Sequence, residues 1–333
     1  MKFLVLKTTD PYLNLAIEEY LFLHADDDVF MLWQNSPTVV IGKNQNAFAE
    51  INMDFMKQNQ VHIARRITGG GAVYHDLGNV NYTFIAPSAG RSLDFAAFTA
   101  PIIEALASLG IKAELTGRND LLTEGKKFSG NAQYAHDGRV LHHGTLLFDS
   151  DLERLSHALK VDEEKIKAKA IKSTRNRVTN LRPLLKQDCD TQQFMELISK
   201  FLIGNYHPTL ISPPTGGEIE ALYKRNASDE WIFPKRDYLS AYTVQKKQRY
   251  PFGIVDILLD MSNDMIRQVK ISGDFFGILP VQELEEALQG CSLSQLSDAL
   301  SPFEVSDYIF GMTKEQLIEQ IHPSISKEQN HEH

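Results

Sequence analysis

The residues of this chain best suited to bind an anion lie in one short stretch, residues 65–84. Two arginines, Arg65 and Arg66, come just before three consecutive glycines, Gly69–Gly71. Glycine can adopt a positive φ and has no Cβ to block a ligand, and such a turn can present backbone N–H groups to an anion. An adjacent guanidinium adds a positive fork that suits phosphate or carboxylate. The pattern predicts a phosphate-binding cradle, and the alternative is a glycine-rich hairpin turn that binds nothing.

The glycine stretch matches neither of two common phosphate-binding motifs. It is not a P-loop, because no Gly-Lys-Ser/Thr sequence closes it. It is not the dinucleotide fingerprint either, because Tyr74 stands where the third glycine of that pattern would fall. The segment 75–81 that follows is polar and rich in turn-forming residues, which favours the ligand-binding interpretation.

Two further pairs of polar residues could handle phosphates. Asp120 follows Asn119 at the start of a short β-like run, where a lone aspartate is usually a turn residue. Lys126 and Lys127 precede a Phe-Ser-Gly triplet, and a lysine pair that opens a strand is usually exposed to solvent. The residue types alone therefore leave a structural and a functional role open for both pairs.

Two histidines and a tryptophan are candidates for the wall of a pocket. His142 and His143 lie next to each other before an apolar strand, without a His-Glu-x-x-His pattern or a nearby cysteine pair, so zinc is not predicted. A buried, hydrogen-bonded histidine is the preferred interpretation of His142. Trp33 ends an apolar run and could line an apolar pocket or pack in the core.

Five stretches, in order along the chain, resemble the signature of lipoate–protein ligases, within the superfamily of biotin and lipoate ligases and transferases. They are residues 65–84, 117–121, 125–132, 142–147 and 175–181. The third reads Gly-Lys-Lys-Phe-Ser-Gly-Asn-Ala and the fourth reads His-His-Gly-Thr-Leu-Leu. Several motifs in the expected order are far more specific than any one of them.

The resemblance implies a role for each candidate residue. Lys127, directly before the hydrophobic-Ser-Gly triplet, matches the family's catalytic lysine, whereas Lys126 does not. The residues implied for nucleotide binding are Arg66, Gly71, Ala72, Val73, Tyr74, Asn119, Asp120 and Lys127. Those implied for substrate binding are Trp33, Arg66, Gly70, His75, Lys127 and His143. Asp120 is also the implied ligand of a magnesium ion, which commonly binds one carboxylate together with substrate phosphates.

The resemblance also implies the reaction. An ATP-dependent lipoate–protein ligase joins lipoate to ATP, giving lipoyl-AMP, and then transfers the lipoyl group to a lysine of a lipoyl domain. ATP and Mg²⁺ are the implied cofactors. The implied partners are acidic lipoyl domains of 2-oxoacid dehydrogenase complexes or the glycine cleavage H protein, and the sequence does not distinguish lipoate from octanoate as the preferred acid.

Two alternative functions stay open on the same scaffold. One is an octanoyl or lipoyl transferase that uses no ATP and carries the acyl group on a cysteine. The neighbours of Cys189 are Asp188 and Asp190, whose charges should raise the pKa of its thiol and weaken it as a nucleophile. The other is a non-catalytic lipoyl-domain binder, which the intact motifs disfavour.

Composition excludes several other classes of protein. The chain has 333 residues with a net charge of −9, and an acidic balance disfavours nonspecific binding of nucleic acid. Its two cysteines, Cys189 and Cys291, are too few for a disulfide framework or a cysteine metal cluster, which favours the reducing cytoplasm. No apolar run approaches the length of a membrane span, so no membrane association is predicted.

The arrangement of apolar and turn-forming segments predicts an α+β fold with a mixed or antiparallel sheet. Short β-like runs are separated by a few helices, such as 11–24, with apolar residues at helical spacing, and a helix begun by Asp94. The resemblance implies a large catalytic domain of the biotin/lipoate ligase type, residues 1–245. It further implies a small α+β C-terminal accessory domain, residues 246–333, with a linker at 245–250.

A basic segment lies at the end of the motif region. Residues 160–182 contain eight Lys and Arg against three Asp and Glu, a local charge of +5 in a chain of −9. One interpretation is a solvated helix followed by a basic loop. The other is a loop at 171–181 that closes over a phosphate-bearing intermediate, and the positive charge could also steer an acidic lipoyl domain.

Overall fold

The computed structural model describes residues 1–88, 94–160, 177–234 and 242–322. They form two compact units. The first consists of Met1–Lys43, Ala47–Thr68 and Ala72–Ile232, and the second of Asn44–Asn46, Gly69–Gly71 and Phe233–His333.

The first unit contains eleven strands among its described residues. They are β1 (Lys2–Val5), β2 (Val29–Trp33), β3 (Thr38–Ile41), β4 (His62–Arg65), β5 (Val73–His75), β6 (Asn79–Pro87), β7 (Glu114–Thr116), β8 (Asp120–Thr123), β9 (Lys126–His136), β10 (Arg139–Leu147) and β11 (Thr209–Leu210). Eight of them form a sheet in the order β11-β1-β2-β6-β10-β9-β8-β7. Strand β1 runs parallel to β2 and β11, and the other neighbours are antiparallel. The mixed α+β fold predicted from the sequence is confirmed.

A second sheet of this unit has the order β4-β3-β5. Strand β3 pairs with β4 in parallel and with β5 in antiparallel orientation. The glycines therefore do not form the turn of a hairpin between β4 and β5, so the alternative of a simple glycine-rich hairpin is wrong. The apolar strand β3, whose Val39, Val40 and Ile41 are buried, takes the central position and separates the two.

Helices cover the large sheet. In the described part of the first unit they are α1 (Pro11–His24), α2 (Ala47–Glu50), α3 (Met53–Asn59), α4 (Phe95–Ser108), α5 (Leu152–Ala158), α6 (Thr191–Tyr206), α7 (Gly217–Asn226) and α8 (Asp229–Ile232), with a 3₁₀ helix at Arg182–Leu184. Helix α1 begins where Asp10 accepts the N–H groups of Tyr12 and Leu13. Helix α4 begins at the predicted cap, Asp94.

Each face of the large sheet has its own core, because side chains alternate along a strand. On one face α1 packs against Met31, Trp33, Ile85 and Leu141. On the other face α4 and α6 pack against side chains that alternate with these, namely Phe30, Leu32, Tyr82 and Leu146. These two faces are called the α1 face and the α4 face below.

The second unit is a small α+β unit. Its strands β12 (Val244–Tyr250), β13 (Gly253–Ser262) and β14 (Met265–Gly273) form an antiparallel sheet. Its described helices are α9 (Gln282–Leu288), α10 (Leu296–Ala299), α11 (Val305–Tyr308) and α12 (Lys314–Ile321), with a 3₁₀ helix at Leu293–Gln295. Residues 245–250 are therefore not a linker. They pair with β13 throughout, and their polar side chains suit an exposed edge strand.

No helix in the described ranges combines the length and the apolar character needed to cross a membrane. Residues 161–176, which include most of the predicted basic loop, lie outside the described residues, as does the terminal segment 323–333.

Candidate active site

Residues from four of the five motifs, together with Trp33, meet on the α1 face of the large sheet. Trp33 pairs with Asn81 of β6, and Asn81 pairs with Thr145 of β10. The backbone N–H of Gly130 donates to Thr145 Oγ1 over 3.2 Å, and Gly130 pairs in turn with Asp120. Directly opposed residues project from the same face, so these residues form one row across the strands.

A second row lies beside the first. Thr83 of β6 is opposite His143 of β10, and His143 is opposite Ala132 of β9. These positions are two residues along each strand from the first row, so they share its face. His142, one position away, projects from the α4 face instead. The sheet register thus separates the two adjacent histidines.

Lys127 and Asp120 form an ion pair in this site. Lys127 Nζ lies 2.7 Å from Asp120 Oδ1, and both side chains are a little over one third exposed (39% and 37%). A Cβ placed on Gly130 would lie only 3.2 Å from Lys127 Nζ, so this glycine leaves room for the ammonium above the α1 face. Lys126, by contrast, is exposed. The geometry puts Lys127, rather than Lys126, in the site.

Asn119 holds the turn just before β8, the strand that begins with Asp120. Its Nδ2 donates to the carbonyl of Asn131 at 2.6 Å, and Asn131 returns two bonds to the carbonyl of Asn119, from its backbone N and its Nδ2. These bonds tie the turn before β8 to β9. The Asp120 carboxylate is held beside Lys127 as a result.

The two adjacent arginines have different surroundings. Arg65 donates to the carbonyls of Gly42, Lys43, Trp231 and Ile232, so its guanidinium joins the β3 end to helix α8. That pattern is structural.

Arg66 is buried within the site. Its Nε donates to Thr68 Oγ1 at 2.9 Å and its Nη1 donates to the carbonyl of Val40 at 3.0 Å. Burial lowers the pKa of Arg66 to about 10, while the Glu18 carboxylate acts in the opposite direction. The guanidinium therefore remains charged at neutral pH in a position with little water.

His75 presents a neutral donor. Asn35 accepts from Asn14 through its Oδ1, so its Nδ2 donates to His75 Nδ1 at 3.1 Å. The ring proton must then lie on Nε2, which is buried and has no hydrogen-bond partner among the residues the structure describes. Burial, with smaller effects from Arg66 and His143, lowers the pKa of His75 to about 3. A buried donor without a partner is costly unless a ligand accepts its bond.

The side chains of three predicted site residues make mainly structural contacts. These residues are Trp33, Val73 and Tyr74. Trp33 is buried in the core of the α1 face and donates from Nε1 to Thr83 Oγ1 at 2.9 Å. Val73 and Tyr74 pair with β3 and Tyr74 is buried. Strand β5 is an edge of its sheet, so the backbone of Val73 and Tyr74 pairs with β3 on one side only within that sheet, and Ala72 lies just before the strand.

The glycines of the turn belong to the second unit. Gly70 has a φ of 88°, whereas Gly71 is absent from the positive-φ glycines of the described chain. The residue that needs glycine for its backbone conformation is thus Gly70 and not Gly71. Within that unit the Gly70 N–H donates to the Phe275 carbonyl at 3.3 Å.

Sequence reasoning did not assign a role to three residues of the site, Glu18, Thr68 and Thr83. Glu18 of helix α1 is buried, and its Oε1 accepts from Thr83 Oγ1 at 2.6 Å and lies 2.9 Å from His143 Nδ1. Thr68 Oγ1 lies 2.9 Å from His143 Nε2. The sequence did contain a signal for Glu18. It follows Asn14 by one helical turn, among the apolar residues of the predicted helix, and a carboxylate is almost never buried without a partner.

Family models match most of the chain. Residues 10–203 match the model described as lipoyl protein ligase A/B catalytic domain, and residues 240–321 match the one described as bacterial lipoate protein ligase C-terminus. The first model covers six of the eight strands of the large sheet, all but β1 and β11, and the site described above. The fold and the site thus define the catalytic class of lipoyl ligases and transferases.

Full-length relatives narrow the class. The chain is 38% identical to lipoate-protein ligase LplJ of Bacillus subtilis over 324 residues, 94% of this chain and 97% of the relative. It is 39% identical to lipoate–protein ligase 1 of Staphylococcus aureus over 321 residues, 93% and 96% of the two chains. The chain belongs to the lipoate–protein ligase family, and it is an enzyme.

Solved structures agree with this assignment. LipL1 of P. falciparum, solved in complex with lipoate, superposes with a TM-score of 0.75 at 25% identity, covering 91% of this chain and 94% of that one. A lipoate-protein ligase A bound with ATP superposes with a TM-score of 0.58 at 27% identity, covering 70% and 98%.

Proposed function

We propose that this ligase works in two half-reactions. In the first, a carboxylate oxygen of lipoate attacks the α-phosphorus of ATP, an O–P bond forms, and pyrophosphate leaves. In the second, the ε-amine of a lysine on a lipoyl domain attacks the acyl carbon of lipoyl-AMP, AMP leaves, and the amine loses a proton. The substrate supplies the nucleophile in both steps, so the protein has to position two anions and stabilise charge.

The observation that carries this proposal is the position of Lys127. Its ammonium lies over Gly130 on the face that also bears His143 and, through Thr68, Arg66. Two negative groups, the carboxylate and the α-phosphate, must approach each other here, and their repulsion grows where water is excluded. An ammonium with three donors can contact both groups at once.

Arg66 and the backbone of residues 72–74 are proposed to hold the nucleotide. The Arg66 guanidinium remains charged, and β5 is an edge strand whose outer backbone groups could bond a ligand. Asn119 fixes the position of Asp120. The roles of Gly71 in nucleotide binding and of Gly70 in substrate binding stay predictions from the resemblance.

His75, His143 and Trp33 are proposed to bind the acyl substrate. The buried Nε2–H of His75 would donate to an acceptor on that substrate. Trp33 lies with its ring 6.1 Å from that of His75, in an edge orientation, and provides an apolar wall for the acyl chain.

Asp120 fits magnesium only together with substrate. The described residues contain no group of three His, Cys, Asp or Glu that could hold a metal ion by themselves. One partly exposed carboxylate plus nucleotide phosphates is an ordinary magnesium environment, and bound Mg²⁺ would neutralise phosphate charge.

The proposed protein partner is an acidic lipoyl domain of a 2-oxoacid dehydrogenase complex or the glycine cleavage H protein. A bipartite ligase from Thermoplasma acidophilum, described together with its E2 lipoyl domain, superposes with a TM-score of 0.60 at 29% identity, covering 70% of this chain and 95% of that one. Within 160–182, Arg182 is engaged by Asp149 and Asp188, so it contributes little to a free basic patch. Steering therefore depends on the lysines and arginines before it.

We also propose a catalytic domain followed by an accessory C-terminal domain, in the cytoplasm. The sequence places their boundary between residues 1–245 and 246–333, and we move it to before Val244 because β12 pairs with β13 throughout. Both cysteines are free thiols, in keeping with a reducing compartment. Burial, followed by Asp188 and Asp190, raises the pKa of the Cys189 thiol, which disfavours the cysteine-based transferase.

The decisive experiment measures pyrophosphate release from ATP on adding lipoate, with and without an acidic lipoyl domain. We expect release with lipoate alone, and transfer to the domain lysine only when the domain is added. Octanoate in parallel would establish the acid preference. Full acyl transfer from an acyl carrier donor without nucleotide would overturn the proposal in favour of a transferase.

A further inference from the structure

We propose that Glu18 is a positioning residue for adenylate formation, which orients the Arg66 guanidinium through His143 and Thr68. The inference rests on the proposed function, because Arg66 is assumed to contact the nucleotide. Hydrogen bonds connect Glu18, His143, Thr68 and Arg66 in a buried row, called the series below. The direction of each of these bonds supports the role of Glu18.

The donor and acceptor of each bond follow from the Glu18 carboxylate at one end of the series. An ionised carboxylate only accepts hydrogen bonds. Glu18 therefore accepts from the Thr83 hydroxyl at 2.6 Å and from His143 Nδ1 at 2.9 Å. The Thr83 oxygen accepts in turn from Trp33 Nε1. The proton of a neutral His143 ring must lie on Nδ1.

The other side of the ring then becomes an acceptor. With the proton on Nδ1, His143 Nε2 can only accept, so the Thr68 hydroxyl donates to it over 2.9 Å. A hydroxyl has one proton and two lone pairs. The Thr68 oxygen is left to accept from Arg66 Nε, which lies 2.9 Å away. Every donor in the series meets an acceptor.

This series determines the plane of a guanidinium. Arg66 is held at Nε by Thr68 and at Nη1 by the Val40 carbonyl. Because the guanidinium is planar, two anchored nitrogens fix the directions of all its N–H bonds. If Glu18 did not hold the Nδ1–H tautomer, His143 Nε2–H would donate to the Thr68 oxygen, and the Thr68 proton would lose its acceptor. The hydroxyl would then rotate toward another acceptor, and Arg66 Nε would share the Thr68 oxygen with His143.

The opposite charges of Glu18 and Arg66 give a second reason to connect these two residues. Glu18 is 1% exposed and Arg66 is 5% exposed, so each is a buried charge whose opposite lies at the other end of the series. Glu18 also raises the pKa of Arg66 against the effect of burial. Removing either charge leaves the other uncompensated, which a buried network does not tolerate well.

The first test compares Glu18→Gln with Glu19→Gln. Glu19, the next residue, pairs with Arg225 and not with His143, so it is a matched control on the same helix. In wild-type protein we expect histidine ¹⁵N spectra to show the Nδ1–H tautomer for His143. Glu18→Gln should shift this signal toward Nε2–H and lower the rate of lipoyl-AMP formation by about 10²-fold, the scale of a misplaced catalytic group. Glu19→Gln should leave both unchanged.

A second pair of variants tests the link to Arg66. Thr68→Ser keeps the hydroxyl and should lose much less lipoyl-AMP formation than Thr68→Val, which should lose activity as Glu18→Gln does. If the two residues act through one series, the double variant Glu18→Gln, Thr68→Val should be no slower than the slower single variant. This pair keeps the inference testable if Glu18→Gln does not fold.

Three results would overturn the inference: an unchanged His143 tautomer in Glu18→Gln, a changed tautomer with wild-type adenylation, or additive losses in the double variant. If wild-type protein makes no lipoyl-AMP, the proposed function fails, while the tautomer measurement still decides the direction of the series.

Discussion

The two faces of the large sheet use the same strands for different purposes. On the α4 face, His142 Nδ1 accepts from Gln133 Nε2 at 2.8 Å, and its ring stacks on Phe98 at 5.4 Å. On the α1 face, His143 lies between the Glu18 carboxylate and the Thr68 hydroxyl. Both histidines are buried.

The contrast shows that burial of a polar residue does not identify a functional site. Packing and a neutral amide partner hold His142 in the core, and burial keeps its pKa well below the ordinary value. His143 belongs instead to a series that ends at two opposite charges, Glu18 and Arg66. The partners, not the degree of burial, distinguish the proposed catalytic face from the structural one.

The largest expected effect is at Lys127, the ammonium over the α1 face. Lys127→Ala should reduce lipoyl-AMP formation by at least about 10²-fold, as for the loss of one charge-stabilising donor. Lys127→Arg should not restore it, because a planar fork does not replace a compact ammonium. Pyrophosphate release measures the rate.

Lys126→Ala is the matched control for this prediction and should stay near the wild-type rate, since Lys126 is exposed. Loss of activity in Lys126→Ala with an active Lys127→Ala would show that the wrong lysine has been assigned.

A direct test of the two faces is the same substitution at adjacent positions. His143→Phe should reduce adenylation, though less than Lys127→Ala, because it interrupts the series to Arg66. His142→Phe should leave adenylation unchanged and alter the free energy of unfolding by no more than about 1–3 kcal/mol, the cost of leaving Gln133 without its acceptor. Adenylation that fell equally in both variants would contradict the distinction between the faces.

Stability should decrease as the pH falls. The pKa of folded His75 is lowered to about 3, and that of His142 is also lowered, so both remain neutral where the unfolded chain takes up protons. Below about pH 6.5, the unfolded-state value, each should reduce the free energy of unfolding by about 1.4 kcal/mol per pH unit. For His75 the loss continues down to its folded pKa.

Urea unfolding at pH 7.5 and pH 5, at equal ionic strength, checks this prediction. His142→Phe should show a smaller pH dependence than wild type, because it retains His75 but has no histidine on the α4 face. An identical dependence in both proteins would mean that His142 does not contribute.

The smallest expected effect is at the cysteines. Cys189 packs against the core of the α4 face and Cys291 lies in the second unit. A Cys189→Ser, Cys291→Ser double variant should ligate lipoate at close to the wild-type rate, because adenylate chemistry needs no thiol. A loss of several orders of magnitude in a folded protein would favour the transferase.

The sequence by itself was sufficient for the family, the mixed α+β fold and the principal candidate residues. Helix α1 and the cap of α4 were predictable because Asp10, Pro11 and Asp94 act on their immediate neighbours. Lys127 was distinguishable from Lys126 because its motif is local. The site roles taken from the resemblance remain predictions.

Tertiary structure decided which residues meet. The supposed glycine hairpin was wrong because β3, distant in sequence, lies between β4 and β5. The linker at 245–250 was wrong because β13 pairs with it. Glu18 and Thr68 were missed because their partners lie on another element, far away in sequence. Local patterns determine helix caps and strand periodicity, whereas pairing register and the burial of a charge depend on contacts between distant segments, which no single stretch encodes.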